Sequence, residues 1–544
     1  MPSTSLPAAA LSPAARRANP MHCGGCAPAV GWSTINAGEA LPGVVTPLTW
    51  SVFGDGVERS MRGAFCDLGV LASDAVPARV EERLWALFYG RAAGNLETFR
   101  RLGDRTPGSS GDAVEEQIFG SVRAGRTSEP TRRRYPVVAV RMPWAAARVG
   151  SRLRAATSDI HPWWQRSVAA APADPRQLFA EANARFEAVM RPHTLAAMLC
   201  QALYEQVRRA AQRAGLPGLE TSLITGYGDM AETAVVGDLW DVSRDRLTLD
   251  AFLRRHGFHG PNEGEMAARV WRLDPSPLER LLRSYRAMGD EREPRLLEAG
   301  RAAARRDAEA RLLAATPRAR RAATRLLLAV AARLIPLRGV GKASFLQCND
   351  VMRAAAHTVG ARLAADGVLA GPHDVFLLTR EELLAAAPPA GLPDAVAERR
   401  AVRDEYRAVV LPELWEGMPQ VRPGGDAPPA TGGGLPTVTG TPVSPGVVEG
   451  LARVVVDPEG DEELEDGEVL VCRTTDPSWA SLMMVASALV IDIGGAISHG
   501  AIVARELGIP CVIGTRDGSA LLRTGDRLRV DADRGEVVVL ERPA

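Results

Sequence analysis

Lysine is almost missing from this chain of 544 residues. Of 65 basic side chains only Lys342 is a lysine, and the other 64 are arginines. A coding bias accounts for the skew, since nothing physical keeps lysine off so much surface. Cysteine is also sparse. Seven residues, at 23, 26, 66, 200, 348, 472 and 511, are odd in number and scattered, which excludes a disulfide framework and fits reduced thiols in the cytoplasm. An excess of charge is absent: 65 basic residues meet 65 acidic ones, so no bulk polyanion such as nucleic acid is an expected partner. Long hydrophobic runs are missing too. Leu326 to Leu337 is broken by Arg333 and Pro336 and is too short to cross a bilayer. No apolar core follows Arg16 and Arg17 as a secretory leader requires. The expectation is a cytoplasmic protein with no membrane partner. His22, Cys23 and Cys26 have a spacing that suits zinc or redox chemistry, but no second pair completes a tetrahedral site, so no metal is expected.

What is present is ordinary globular material. Hydrophobic residues make up 46% and charged residues 24%, enough for buried cores and against wholesale disorder. Residues 1–32 read as a flexible tail. From 33 to 420 the pattern is helical: Leu178, Phe179, Ala182, Phe186, Val189 and Met190 recur at three- and four-residue steps, the signature of an amphipathic helix. We read this span as one large, mostly α domain with one core. The Pro- and Gly-rich stretch 421–436 reads as a linker. Beyond it, 437–544, short β-type runs at 452–456, 469–472, 489–492, 511–513, 528–530 and 537–540 alternate with helical stretches at 478–487 and 499–507. The fold class is therefore multidomain, a large α domain followed by a compact β/β/α domain.

The chemistry concentrates in residues 491–510. A strand runs to Asp492, Gly494 and Gly495 let the backbone turn and let an anion approach, and Ser498 is a good N-cap for a helix beginning at His499. The unpaired N–H groups and dipole of that first turn favour a phosphoryl group. A histidine there is kept neutral for attack and stabilised once it carries the phosphoryl. Arg505 lies about 600° around the helix from His499 and does not share its face, while Glu506 does, two turns away. Both are expected to pack or dock.

Gly494, Gly495, Ser498, His499, Ala501-Ile502-Val503-Ala504-Arg505-Glu506 and Gly508-Ile509-Pro510 resemble the phosphohistidine, or swivelling, domain of the phosphoenolpyruvate-utilising enzymes, a family that includes the synthases, the dikinases and the rifampicin phosphotransferases. Ile497 stands where the synthases and dikinases usually have Thr, which places the segment nearer the rifampicin branch. Gly440 to Gly446 and Arg473 to Trp479 resemble further pieces of that domain. The resemblance implies His499 as the catalytic phosphoryl carrier, with Gly494, Gly495, Ser498, Gly500 and Thr475, aided by the Asp476-Pro477 turn, around the phosphate.

The helical region resembles the family's substrate-binding domain at Asn36 to Glu39, Thr46 to Ser51, His256 to Glu265 and Asp374 to Glu382. Phe258 and His259 replace that family's usual His-Arg pair. Glu39, His256, His259, Glu263 and Lys342 are the candidate substrate-binding residues, and a general base for a hydroxyl acceptor is sought among His256, His259 and Glu263. Gly339 to Ser344 is no phosphate loop, because Pro336 and Ala343 break the required spacing.

An ATP-grasp domain usually precedes these parts in the family, and no such segment is recognisable here. The resemblance therefore implies a split phosphotransferase: ATP and Mg2+ are expected on a separate ATP-grasp partner, no cofactor on this chain, and a small-molecule acceptor in the helical domain. Phosphorylation-driven elimination on a specialised metabolite and a non-catalytic scaffold are the alternatives.

Overall fold

The computed structural model describes residues 20–228, 231–424, 436–455, 464–475, 479–495 and 498–543, with the backbone alone at 231, 232 and 499. Two long helices form the spine of the first part. Pro175–Arg213 is capped by Asp174, whose side chain accepts from the Gln177 N–H, with proline at its first position, a favoured way to begin a helix. It buries Phe179, Ala182, Phe186, Val189 and Met190, the stripe expected from the sequence. Leu337–Ala365 packs along it and buries Leu346, Val351, Met352, Ala355 and Val359. Pro47–Asp67 and Tyr135–Thr157 complete the layer. Phe186 is fully enclosed, so truncation to alanine costs about 3–5 kcal/mol.

A four-stranded antiparallel sheet, absent from the sequence reading, closes one side of this region. Its order is Trp85–Phe88, Arg91–Asn95, Gly31–Ser33, Leu414–Glu416. Tyr89 and Gly90 turn the first hairpin, both with positive φ, as a two-residue turn between right-twisted strands demands. The structure corrects two boundaries. Residues 20–32, expected in the tail, are part of the domain: Met21 is fully buried, the Cys23 N–H donates to the Leu87 carbonyl, and Gly31–Ser33 is the strand joining both halves of the sheet. Residues 421–423, expected in the linker, also belong to the packed region: Val421 is buried and Arg422–Pro423 pairs with Val409–Val410 in a separate two-stranded ladder. Residues 1–19 and 425–435 lie outside the described residues.

The C-terminal part is built on an eight-stranded sheet. Its centre is the parallel run Val447–Val455, Val469–Cys472, Ala488–Ile491, Cys511–Ile513, flanked on one side by Arg527–Asp531, Glu536–Glu541 and Thr437–Thr439 and on the other by Thr441–Ser444, all antiparallel. The expected strands are all present, and Thr437–Thr439 and Thr441–Ser444 are added to them. Alternation divides the side chains between two cores. Val469, Val471, Ala488, Val490 and Val512 face one with Leu528, Val530 and Val537. Leu470, Cys472, Leu489, Ile491, Cys511 and Ile513 face the other.

That second core is shared, which overturns the expectation of a single core in the helical region. Val236, Leu239, Trp240, Phe252, Leu278, Leu282 and Tyr285 join the sheet residues and the 499–507 helix in one apolar cluster. Helices Ala231–Ser243, Leu249–His256 and Ser276–Ala287 thus pack on the C-terminal domain, while the long helices form separate cores. Polar contacts tie the same seam. The Tyr285 hydroxyl donates to the Ser481 carbonyl at 3.0 Å, and the Arg292 guanidinium donates to the carbonyls of Met484 and Ala486 and pairs with Asp466.

Candidate active site

The strand Ala488–Ile491 delivers the chain to a loop that turns on Gly494, φ 143°. A Cβ at Gly494 would lie 2.5 Å from Ile513 and 2.9 Å from Ser498 Oγ, so only glycine lets the strand end and the cap approach this closely. Ser498 has extended backbone, its hydroxyl accepts from the Ala501 N–H at 3.4 Å, and helix His499–Leu507 starts immediately after it. Gly508, φ 71°, ends that helix in the left-handed conformation. The His499 backbone thus stands at a capped helix N-terminus, as the spacing predicts. Residues 496, 497 and 476–478, and with them Ile497 and the Asp476-Pro477 turn, lie outside the described residues.

Thr475 is buried, and a Cβ at Gly500 would meet its Oγ1 at 2.7 Å and Ile491 at 2.9 Å. The hydroxyl therefore rests against the first turn of the helix. Thr474, one residue earlier, has a buried Oγ1 with no hydrogen-bond partner among the described residues. Sequence reasoning missed it, although consecutive threonines at a strand end beside a glycine loop were the available signal. Asp492 anchors the other side: it accepts from Thr515 Oγ1 at 2.7 Å and from the Ser519 N–H, and burial pushes its carboxyl above the usual range. Gly495 lies over the end of helix Gly111–Phe119, where its Cβ would be 3.7 Å from the Gln117 carbonyl and Gly120. Arg505 Nε donates to the Val443 carbonyl at 2.9 Å, and Glu506 accepts from the Gly226 N–H across the seam at 3.5 Å. Both are packing and docking residues.

The helical region holds a cavity of about 350 Å3. Three residues singled out from distant parts of the sequence, Glu39, Glu263 and Lys342, all line it, together with His193, Arg338 and an apolar wall including Trp50 and Phe345. Lys342 projects from helix Leu337–Ala365, so the Gly-Val-Gly-Lys segment is helical. Gly341 leaves room for His193, whose Nδ1 would be 2.6 Å from a Cβ there. Glu263 is buried, with Oε1 lacking a hydrogen-bond partner among the described residues and Oε2 bonded to His259 Nδ1 at 2.6 Å. Its backbone is fixed from behind: Asn349 Nδ2 and Arg353 Nη2 both donate to the Glu263 carbonyl, at 2.9 and 3.2 Å.

Among the three base candidates, Glu263 alone lines this cavity. His259 stands behind it, and His256 is turned to Asp238 Oδ2 at 2.9 Å, its pKa lowered by burial. The predicted substrate set therefore divides into three cavity residues and two supporting histidines. Glu265, four positions from Pro261, holds Thr46 and Thr49 and is structural.

At the chain start, Cys23 and Cys26 pack beside the core, and burial, then the neighbouring Cys26, pushes the Cys23 thiol up to about 12. Among the described residues no group of three or more His, Cys, Asp or Glu is placed to hold a metal ion, and no helix is long and apolar enough to cross a membrane.

Comparison with known proteins joins these parts. Residues 464–535 match the PEP-utilising enzyme, mobile domain, and residues 231–339 match the rifampicin phosphotransferase fourth domain. The rifampicin phosphotransferase of Streptomyces sviceus is 36% identical over 184 residues, covering 33% of this chain and 20% of that protein. A rifampicin phosphotransferase from another Streptomyces is 33% identical over 311 residues, 54% of this chain and 34% of its own length. An uncharacterised protein of Mycobacterium tuberculosis is 35% identical over 212 residues, 39% of this chain and 24% of that one. The chain thus spans about a fifth to a third of the length of these relatives. Over these segments the chain is similar to the mobile domain of the PEP-utilising enzymes and to the fourth domain of the rifampicin phosphotransferases, and its relatives include proteins named rifampicin phosphotransferase.

Proposed function

We propose that the chain is the carrier and acceptor part of a phosphotransferase, taking a phosphoryl group on His499 and passing it to a hydroxyl compound in the Glu39–Glu263–Lys342 cavity. The observation that carries this reading is the pairing, in one chain, of a serine-capped helix starting at His499 with a cavity whose buried Glu263 has an oxygen without a hydrogen-bond partner among the described residues. In the first step the terminal P–O bond of ATP breaks as an N–P bond forms on the His499 imidazole, and ADP leaves. In the second the acceptor oxygen attacks phosphorus, the N–P bond breaks, and the hydroxyl proton goes to Glu263 Oε1.

The donor in this reading is a separate ATP-grasp protein that holds ATP and Mg2+. Gly494, Gly495, Ser498, Gly500 and Thr475 shape the phosphoryl site, with the backbone N–H groups of the first helical turn as donors. Lys342 and Arg338 supply positive charge in the cavity wall, which suits an acceptor gaining negative charge. The apolar remainder of the wall suits an aromatic or otherwise hydrophobic acceptor. Incubation with the ATP-grasp protein, radiolabelled ATP and Mg2+ tests the reading: an acid-labile label is expected on the wild-type chain and none on His499→Ala. A label that persists in His499→Ala contradicts it.

A further inference from the structure

A second basin of about 410 Å3, which shares no lining residue with the Glu263 cavity, is bounded by Arg91, Arg403, Arg407, His373 and Glu265. Three guanidinium groups face one carboxylate, and that carboxylate is already committed. Glu265 Oε1 accepts from Thr46 Oγ1, Thr49 Oγ1 and the Ala267 N–H, and Oε2 accepts from the Thr46 N–H.

Two of the three arginines, Arg91 and Arg403, donate to neutral carbonyls. Arg91 donates to the carbonyls of Tyr89, Tyr406 and Val409 at 3.2, 2.8 and 2.7 Å, and among the described residues it forms no ion pair. Arg403 donates from Nη2 to the Val44 carbonyl at 3.1 Å, while its buried Nε has no hydrogen-bond partner among the described residues. Arg407, exposed at the rim, pairs among the described residues only with Asp404, at 3.6 Å. Burial, and then the nearby Arg473 of the C-terminal domain, brings the Arg91 guanidinium down to about 10, which leaves it charged at neutral pH. His373 is held below its ordinary value by burial and by Arg269 and Arg403.

Positive charge so collected, in a polar recess with unused N–H donors, calls for an anion that accepts several hydrogen bonds at once. We infer that this basin binds a phosphate-type oxyanion, at a site distinct from both the His499 loop and the Glu263 cavity. The inference does not depend on the proposed phosphoryl transfer. A free phosphate ion and the phosphate of a phosphomonoester share the chemistry, and the test separates them.

Isothermal titration of the full chain with inorganic phosphate, and separately with phenyl phosphate, each against chloride at equal ionic strength, reads the site. Saturable binding is expected, weakened roughly tenfold or more in Arg403→Gln and in Arg407→Gln, and unchanged in Arg311→Gln, an exposed arginine elsewhere. Arg407→Gln keeps the test independent of folding, since that side chain is exposed. Tighter binding of phenyl phosphate assigns the site to a phosphorylated metabolite, and binding of phosphate alone assigns it to the free ion. Absence of saturable binding by either probe, or equal affinity in wild type and both basin variants, overturns the inference.

Discussion

At the scale of the residue, the site depends on a few close approaches. Gly500 leaves space for the Thr475 hydroxyl. Gly500→Ala drives a methyl group into that hydroxyl and into Ile491, an overpacking expected to cost about 1–3 kcal/mol. A lower thermal midpoint together with reduced phosphoenzyme is the expected outcome, and an unchanged midpoint contradicts the geometry. Glu263→Gln separates the two chemical steps. It keeps the size of the side chain and removes the proton acceptor, so phosphorylation of His499 is expected at the wild-type rate while transfer to acceptor falls by about two orders of magnitude or more; transfer at the wild-type rate rules Glu263 out as base. These residues differed in legibility. The turn at Gly494 and the capped helix start at His499 were readable because a short local motif sets them. The division between Glu263 and the two histidines was not, because it depends on how residues 256–265 meet the Leu337–Ala365 helix, some ninety positions on.

At the scale of the element, Glu58 joins helix Pro47–Asp67 to the small sheet by accepting from the Leu84 and Trp85 N–H groups. Burial pushes its pKa up to about 7, against the opposing effects of those N–H groups and Arg62. The folded state therefore holds a proton that the unfolded state releases above about 4.5, and this carboxyl's contribution to stability falls as pH rises from there to about 7. Glu58→Gln is expected to flatten that part of the stability profile in denaturant titrations. A wild-type slope retained in the variant contradicts the assignment. The strands of the C-terminal domain were legible because runs such as Val469–Cys472 and Ala488–Ile491 are buried on both faces and bounded by turn residues. The small sheet was not, because Gly31–Ser33 and Leu414–Glu416 are three residues each, too short for a periodic signal, and pair across almost the whole helical region.

At the scale of the molecule, the seam between residues 235–292 and the C-terminal domain is the feature that composition and periodicity concealed, since the apolar faces of both partners look like ordinary core when read along the chain. The C-terminal domain shares a core with Trp240, Leu282 and Tyr285, so the proposed transfer requires it to move either with those helices or by parting from them. Arg292 is one polar clasp of the seam, donating to the Met484, Val485 and Ala486 carbonyls. Arg292→Ala is expected to speed amide hydrogen exchange in 480–491 and leave the Pro175–Arg213 helix unaffected. Exchange unchanged at 480–491 shows that the clasp does not hold the seam.

The central claim, that His499 carries phosphoryl from ATP to an acceptor, is tested most directly by mass spectrometry of the chain after exposure to an ATP-grasp protein, ATP and Mg2+ without acceptor. The account predicts an acid-labile phosphate on the peptide containing His499, discharged when acceptor is added. A phosphate on any other residue, or none on His499 while acceptor is still phosphorylated, contradicts it.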